Sequence, residues 1–236
     1  MSANYFSFKQ FTVFHDKCAM KVGTDGVLLG AWVDVTDAGS VLDVGTGTGL
    51  IAMMVAQRSA DIIIDAVEID EKAYRQAMEN VSACPWNRRI RVFHDTLQHF
   101  AENNTSRYDV VVSNPPFFRN ALRPPVVSRS VARHDTSLNY ESLLVHAARI
   151  LTNEGRLAVI VPDSELVRLT EQAYLQGLYV SRLLRIKPLP DRAVSRGMLE
   201  LSKERNIQCQ EGTLTIRKDQ STYTDEYKAL TRDFYL

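Results

Sequence analysis

A strand that runs straight into three closely spaced glycines and out into a helix constrains this chain more than any other stretch. Val41-Leu42-Asp43-Val44 is a short apolar run that reads as a buried strand. Gly45, Gly47 and Gly49 break it, and Leu50, Ile51, Met54 and Val55 follow at helical spacing. Glycine lets a backbone turn sharply and approach a ligand with no Cβ in between. A strand, a glycine turn and a helix in that order are how a doubly wound α/β fold builds a nucleotide site. The spacing narrows the ligand. A dinucleotide fingerprint reads G-x-G-x-x-G, and its third position here is Leu50, neither Gly nor Ala. For this stretch alone, a glycine turn without a ligand is the alternative.

Glycines at 45, 47 and 49 with Asp43 two residues ahead resemble motif I of the class I methyltransferases, which bind S-adenosylmethionine. The resemblance implies that Asp43, Gly45, Gly47 and Gly49 serve the cofactor. Ile62 to Val67 reads as the next strand and ends at Glu68. Glu68 follows the glycine turn by about 20 residues, where doubly wound folds set an acid on the ribose hydroxyls. A carboxylate accepts both hydroxyl protons; a solvated strand-end acid is the bland reading. Upstream, Thr24 or Asp25 is expected to cap a helix carrying Val27, Leu28, Leu29, Ala31 and Trp32. That cap acts alone or also lies against the cofactor's methionine end. Arg91-Val92-Phe93 reads as a third strand. Asp95 after it either accepts the cofactor's adenine amine or caps the helix through Phe100.

The second informative stretch is Tyr108 to Phe118, a β-branched strand running into Asn114-Pro115-Pro116-Phe117. The prolines fix φ and remove backbone donors. Asn114 offers an amide oxygen, Pro115 a rigid carbonyl and Phe117 an aromatic face. The set suits a planar group bearing an NH2: the oxygens accept its two protons, the ring stacks, and the nitrogen lone pair stays free to meet a methyl donor. Asn114 cannot act as a base near neutral pH, so positioning is expected to dominate. These residues resemble motif IV of the amino-methyltransferases, [DN]-P-P-[FYW].

The opening Phe-Lys-Gln-Phe, the block Met20 to Trp32, Asn114 to Phe118, Ala132-Arg133-His134 and the terminal Phe234-Tyr235-Leu236 carry the likeness further. Together they resemble the bacterial tRNA(Val) adenine-N6 methyltransferase family over nearly the whole chain. The resemblance implies a doubly wound α/β fold with a seven-stranded, mostly parallel sheet and a short N-terminal extension. It also implies methyl transfer from S-adenosylmethionine to the N6 amine of the adenine just 3′ of the anticodon. A methyltransferase acting on a protein glutamine or on guanine N2 of rRNA is the alternative, since both use related motifs. A nicotinamide-dependent oxidoreductase is disfavoured by Leu50, and a non-catalytic RNA-binding module by the intact Asn114 to Phe117.

Lys plus Arg and Asp plus Glu both number 28, so a nucleic-acid surface must be a local patch. Arg119, Arg123, Arg129, Arg133 and His134 form such a patch, with no acid until Asp135. As phosphate contacts they hold the anticodon stem-loop of a tRNA; a solvated basic loop is the alternative. Arg182 to Arg205, with seven Lys or Arg against three acids, is a weaker second zone. Cys18, Cys84 and Cys209 make no paired motif, and no apolar run approaches the ~18 residues of a membrane span. A reduced, cytoplasmic enzyme without metal or membrane is expected, a monomer being favoured. One domain is expected, residues 1–35 forming an extension and helix and 36–236 the catalytic core.

Overall fold

The computed structural model describes residues 4–18, 20–116 and 138–235. An N-terminal hairpin pairs β1 (Tyr5–Ser7) with β2 (Thr12–Phe14). The strands that follow are β3 (Ser40–Val44), β4 (Ile63–Glu68), β5 (Ile90–His94), β6 (Tyr108–Ser113), β7 (Leu151–Pro162), β8 (Tyr179–Lys187), β9 (Arg196–Ser202) and β10 (Gln210–Thr215). The helices are α1 (Thr24–Trp32), α2 (Leu50–Arg58), α3 (Glu71–Ala83), α4 (Leu97–Asn103), α5 (Tyr140–Ile150), α6 (Leu166–Leu175) and α7 (Asp225–Thr231).

Strands β3 to β10 form one sheet in the order β10-β8-β9-β7-β6-β3-β4-β5. Strand β9 is antiparallel to both neighbours, and the other pairings are parallel. This is the expected doubly wound, mostly parallel sheet, with eight strands among the described residues rather than seven. The added edge strand, β10, pairs with β8 and buries Leu214 in the same apolar cluster as Ile186. Both faces of the sheet are covered. Val41, Ile64 and Val110 pack toward α1 and α2, while Leu42, Val44 and Val111 pack toward α4 and α5. Burial on both sides makes each parallel strand a continuous apolar run rather than an alternating one.

The strand order fixes the site. The chain leaves β3 for β4 and β5 on one side, then returns to β6 on the other. Such a reversal opens a crevice at the carboxyl ends of the strands. Val44 and Ser113 are register partners, and the Ser113 hydroxyl donates to the Val44 carbonyl at 2.9 Å. The residues that follow them, Gly45 and Asn114, therefore leave the sheet side by side.

The N-terminal segment belongs to the same core. Phe8, Phe11 and Val13 are buried in one cluster with α1 and α2. Asn80 of α3 is 1% exposed and ties this segment to the glycine turn. Its side-chain oxygen accepts from Phe14 N at 2.9 Å, and its amide donates to the Phe14 and Thr48 carbonyls at 2.8 Å each. The two chain ends also meet. Lys9 N donates to the Phe234 carbonyl at 2.8 Å, and the Phe8 and Tyr235 rings stack with centroids 6.0 Å apart.

Two expected caps differ. The residue before α1 is Gly23, extended at φ −128°, with no side-chain cap bond. Thr24 and Asp25 already lie inside the helix, past the position from which a side chain can reach forward, and Asp25 instead accepts from Arg196 Nε at 2.9 Å. At α4 the cap is Thr96, whose hydroxyl accepts from His99 N at 3.0 Å. Asp95 is one residue too early for that role.

Candidate active site

Three left-handed glycines shape the exit from β3, with φ of 67° at Gly45, 59° at Gly47 and 82° at Gly49. An L side chain in that region is strained by its Cβ. A Cβ added at Gly47 would meet nothing within 4 Å, so the space above this backbone is open. Gly49 precedes α2 without a capping side chain. Asp43 supplies the missing acceptor from within the strand. Its Oδ2 takes the Ala52 N–H at 3.1 Å and the Thr46 hydroxyl at 2.5 Å. Asp43 thus fixes both the turn and the helix start. Its Oδ1 is buried without a hydrogen-bond partner among the described residues. Burial pushes the carboxyl up to about 7, Glu68 adds to the rise, and the bonds from Thr46 and Ala52 oppose it.

Glu68 ends β4 at 8% exposure. Its Oε2 accepts from Gly47 N at 2.8 Å and its Oε1 from Asp70 N at 2.9 Å. The strand-end acid is therefore not simply solvated; it holds the middle of the glycine turn. Each oxygen keeps acceptor capacity for a further donor.

A cavity of about 330 Å³ opens beside the turn, lined by Gly45, Thr46, Gly47, the Val22–Gly26 segment and Asn114. Thr24 lies on its wall, as the reading of a helix start facing a ligand requires. Asn114 enters it from β6. Its Oδ1 is buried and has no partner among the described residues, and an unmet acceptor of this kind is disfavoured by about 1–3 kcal/mol. Pro115 beside it is buried. Across Gly45 a narrower cleft of about 30 Å³ is lined by Ile69, Asp95, Leu97 and Leu138. Asp95 accepts from Thr96 N at 2.7 Å and pairs with His99 Nδ1 at 2.8 Å. The hydrogen bond to Asp95 raises the His99 pKa.

Among the residues singled out from sequence, Thr24, Gly45, Gly47 and Asn114 line the larger cavity and Asp95 the cleft across Gly45, while Asp43 and Glu68 brace the glycine turn between them. Phe117, Arg119, Arg123, Arg129, Arg133 and His134 lie outside the described residues. Three of the seven cations of the second basic zone are paired with acids within the fold. Arg182 pairs with the buried Glu200 at 2.9 Å, Arg185 with Glu211 at 2.6 Å and Arg196 with Asp25. Sequence reasoning missed Asn80, Ser113 and Leu138. Each acts through a partner distant in the chain, and only Ser113, next to Asn114, carried a local hint. Among the described residues no group of His, Cys, Asp or Glu is placed to hold a metal, and no helix is long and apolar enough to cross a membrane.

Crevice and fold define a class. A family model described as methyltransferase small domain matches residues 13–168, so the chain is a methyltransferase. Solved structures share its fold. A predicted O-methyltransferase from Agrobacterium tumefaciens superposes with a TM-score of 0.68 at 18% identity, covering 89% of this chain and 96% of that one. A ribosomal protein L11 methylase from Lactobacillus delbrueckii subsp. bulgaricus gives 0.54 at 16% identity over 76% and 77%. Sequence relatives are much nearer. The tRNA1(Val) (adenine(37)-N6)-methyltransferase of Trichodesmium erythraeum is 49% identical over 100% of this chain and 99% of its own length. Proteins of the same name from Bacteroides thetaiotaomicron and Serratia proteamaculans are 46% and 41% identical, covering 100% and 98% of this chain and 99% and 89% of their own lengths. The chain belongs to the tRNA1(Val) (adenine(37)-N6)-methyltransferase family.

Proposed function

We propose that this chain transfers a methyl group from S-adenosylmethionine to the N6 amine of adenine 37 in tRNA1(Val), as the names of its relatives state for them. The observation that carries the reading is the buried Asn114 Oδ1, without a partner among the described residues, at the wall of the cavity beside the glycine turn. A neutral amide oxygen held there is an acceptor waiting for a donor, and an exocyclic amine supplies one.

The open space above Gly47, the spare acceptor capacity of Glu68 and the orphaned Asp43 Oδ1 fit a bound nucleoside with an amino-acid tail. Glu68 would take the ribose hydroxyls, the 45–49 backbone and Thr24 the methionine side, and Asp95 the adenine amine. When bound, S-adenosylmethionine supplies an electrophilic methyl group on its sulfonium. Asn114 and the Pro115 carbonyl hold the two amine protons of the substrate base, and Phe117 stacks on its ring. Neither oxygen is basic enough to remove a proton near neutral pH, so the residues orient the amine with its lone pair free, and the nitrogen, made cationic by the new N–CH3 bond, loses its proton to water after the transfer. The gain comes from holding reactants in a near-attack geometry. Adenine in a folded anticodon loop must leave its stack to reach the crevice. Arg119, Arg123, Arg129, Arg133 and His134 would grip the phosphates around it. We read the chain as one domain, a cytoplasmic monomer.

Incubation with labelled S-adenosylmethionine and tRNA lacking the modification tests the reading. Mass spectrometry of digested nucleosides should show N6-methyladenosine. Label in N2-methylguanosine, or in protein, would overturn it.

A further inference from the structure

A second, larger depression runs on from the cavity just described. Its volume is about 1,090 Å³ against about 330 Å³, and the two share the wall formed by Val22, Gly23 and Thr24. The far walls come from the chain ends, the β1–β2 hairpin on one side and α7 with the residues after it on the other. The lining is chemically one-sided. Lys9, Lys228 and Arg232 contribute cations, and among the described residues no Asp or Glu lines it. Tyr5 and Phe6 present aromatic faces at 51% and 36% exposure, while the Tyr223 ring is stacked on Tyr227 with centroids 4.9 Å apart. The Arg217 guanidinium lies over the Tyr223 ring, 4.7 Å from its centroid, and fixes that ring's position. Asp233 stands 3.7 Å from Arg232 with both side chains about three-quarters exposed, so water and salt screen that pair.

Exposed aromatics interleaved with cations, in a groove free of acids and continuous with a site that acts on a base, match unpaired nucleic acid. Every base has a face to stack, and the phosphates between bases need positive charge. We propose that this groove receives the unpaired nucleotides next to the target adenine, so that the N-terminal hairpin and α7 form a substrate-RNA surface separate from the 119–134 segment. The proposal rests on the RNA methyltransferase reading above. It also gives the meeting of the two chain ends a use: Lys9 N on the Phe234 carbonyl and Phe8 on Tyr235 hold the two walls in register.

The test uses the full chain and a synthetic anticodon stem-loop with an unmodified adenine at position 37. Binding is followed by fluorescence anisotropy across a salt series for the wild type, Lys228→Ala/Arg232→Ala and Tyr5→Ala/Phe6→Ala. Loss of two phosphate contacts should lower the log–log salt slope by roughly 1.4, about 0.7 per contact on a single strand. Loss of two stacking faces should weaken RNA binding by about tenfold or more and raise the KM for RNA with kcat within about twofold. Affinity for S-adenosylhomocysteine should stay within about twofold in both variants. Unchanged RNA affinity and slope, with a wild type that methylates the stem-loop, would overturn the groove and leave the function standing. A wild type that methylates no RNA would remove both. Should a variant lose S-adenosylhomocysteine binding, ultraviolet crosslinking of the wild type to the same RNA decides. Crosslinks at Tyr5 or Phe6 support the groove, and crosslinks confined to other segments refute it.

Discussion

Replacing Asn114 with alanine is expected to separate activity from stability. Asn114 Oδ1 is buried with no partner among the described residues. An unmet buried acceptor destabilises by about 1–3 kcal/mol, and truncation removes that penalty. It also removes part of the packing of a half-buried side chain, about 0.8 kcal/mol per buried methylene-sized group. The two oppose each other, so the net change should lie within about 1 kcal/mol, a Tm shift within about 4 °C for a chain of this size. The rate should respond quite differently. The amide oxygen binds more strongly as positive charge develops on the attacked nitrogen, so its loss falls on the transition state. Removing one preorganised polar group of this kind lowers rates by about 10²–10³-fold, or roughly 3–4 kcal/mol. Single-turnover methylation of the anticodon stem-loop at saturating S-adenosylmethionine, beside calorimetric melting, reads both quantities. Asn114→Asp keeps an acceptor and should retain more activity than alanine. A wild-type rate in Asn114→Ala would show that the end of β6 is not the reacting site. A Tm loss of ~8 °C or more would show instead that Asn114 is a structural anchor.

Four further outcomes are expected. Gly47→Val should weaken S-adenosylhomocysteine binding at least tenfold by calorimetry, because its side chain enters open cavity space, while the positive φ of 59° adds only about 1–2 kcal/mol of strain. Asp43 titrates in the fold at about 7 instead of 3.8, so the stability it contributes is fully present below pH ~4 and is lost as pH rises through ~7. Asp43→Asn should flatten that dependence in chemical denaturation at stepped pH and exceed wild type above pH ~7 by at most ~4 kcal/mol. Asn80→Ala leaves the Phe14 backbone and the Thr48 carbonyl without their partners, and should lower stability by about 2–4 kcal/mol in urea melts. Arg119→Ala/Arg129→Ala/Arg133→Ala should reduce RNA affinity and its salt slope with cofactor affinity unchanged; an unaltered slope would move the phosphate contacts elsewhere.

The chemistry-bearing stretches were readable because their signals are local. Three glycines after Val41 to Val44 demand a turn that few other residues can make, and they do adopt positive φ. Two prolines after Asn114 end β6 where the sequence says a strand must end. Where local signals competed, the reading went astray. Thr24, Asp25 and Asp95 are all residue types that cap helices, but capping depends on one position of backbone geometry, and Gly23 and Thr96 hold those positions.

What the sequence determined by itself was therefore the order of strand, turn and helix, and which residue types stand at the strand ends. What the tertiary structure decided was which of those ends are neighbours. Gly45 and Asn114 are 69 residues apart and meet only because β3 and β6 pair with Val44 opposite Ser113. The orphaned oxygens of Asp43 and Asn114 cannot be read from a pattern, since burial is a property of everything packed around them. Arg182, Arg185 and Arg196 look like a basic patch in the chain and are spent on Glu200, Glu211 and Asp25 in the fold. The groove between the hairpin and α7 joins the first residues to the last. Backbone chirality and hydrophobic periodicity act over a few residues, whereas pairing register and burial act across the whole chain, and only the packed structure brings the second set into view.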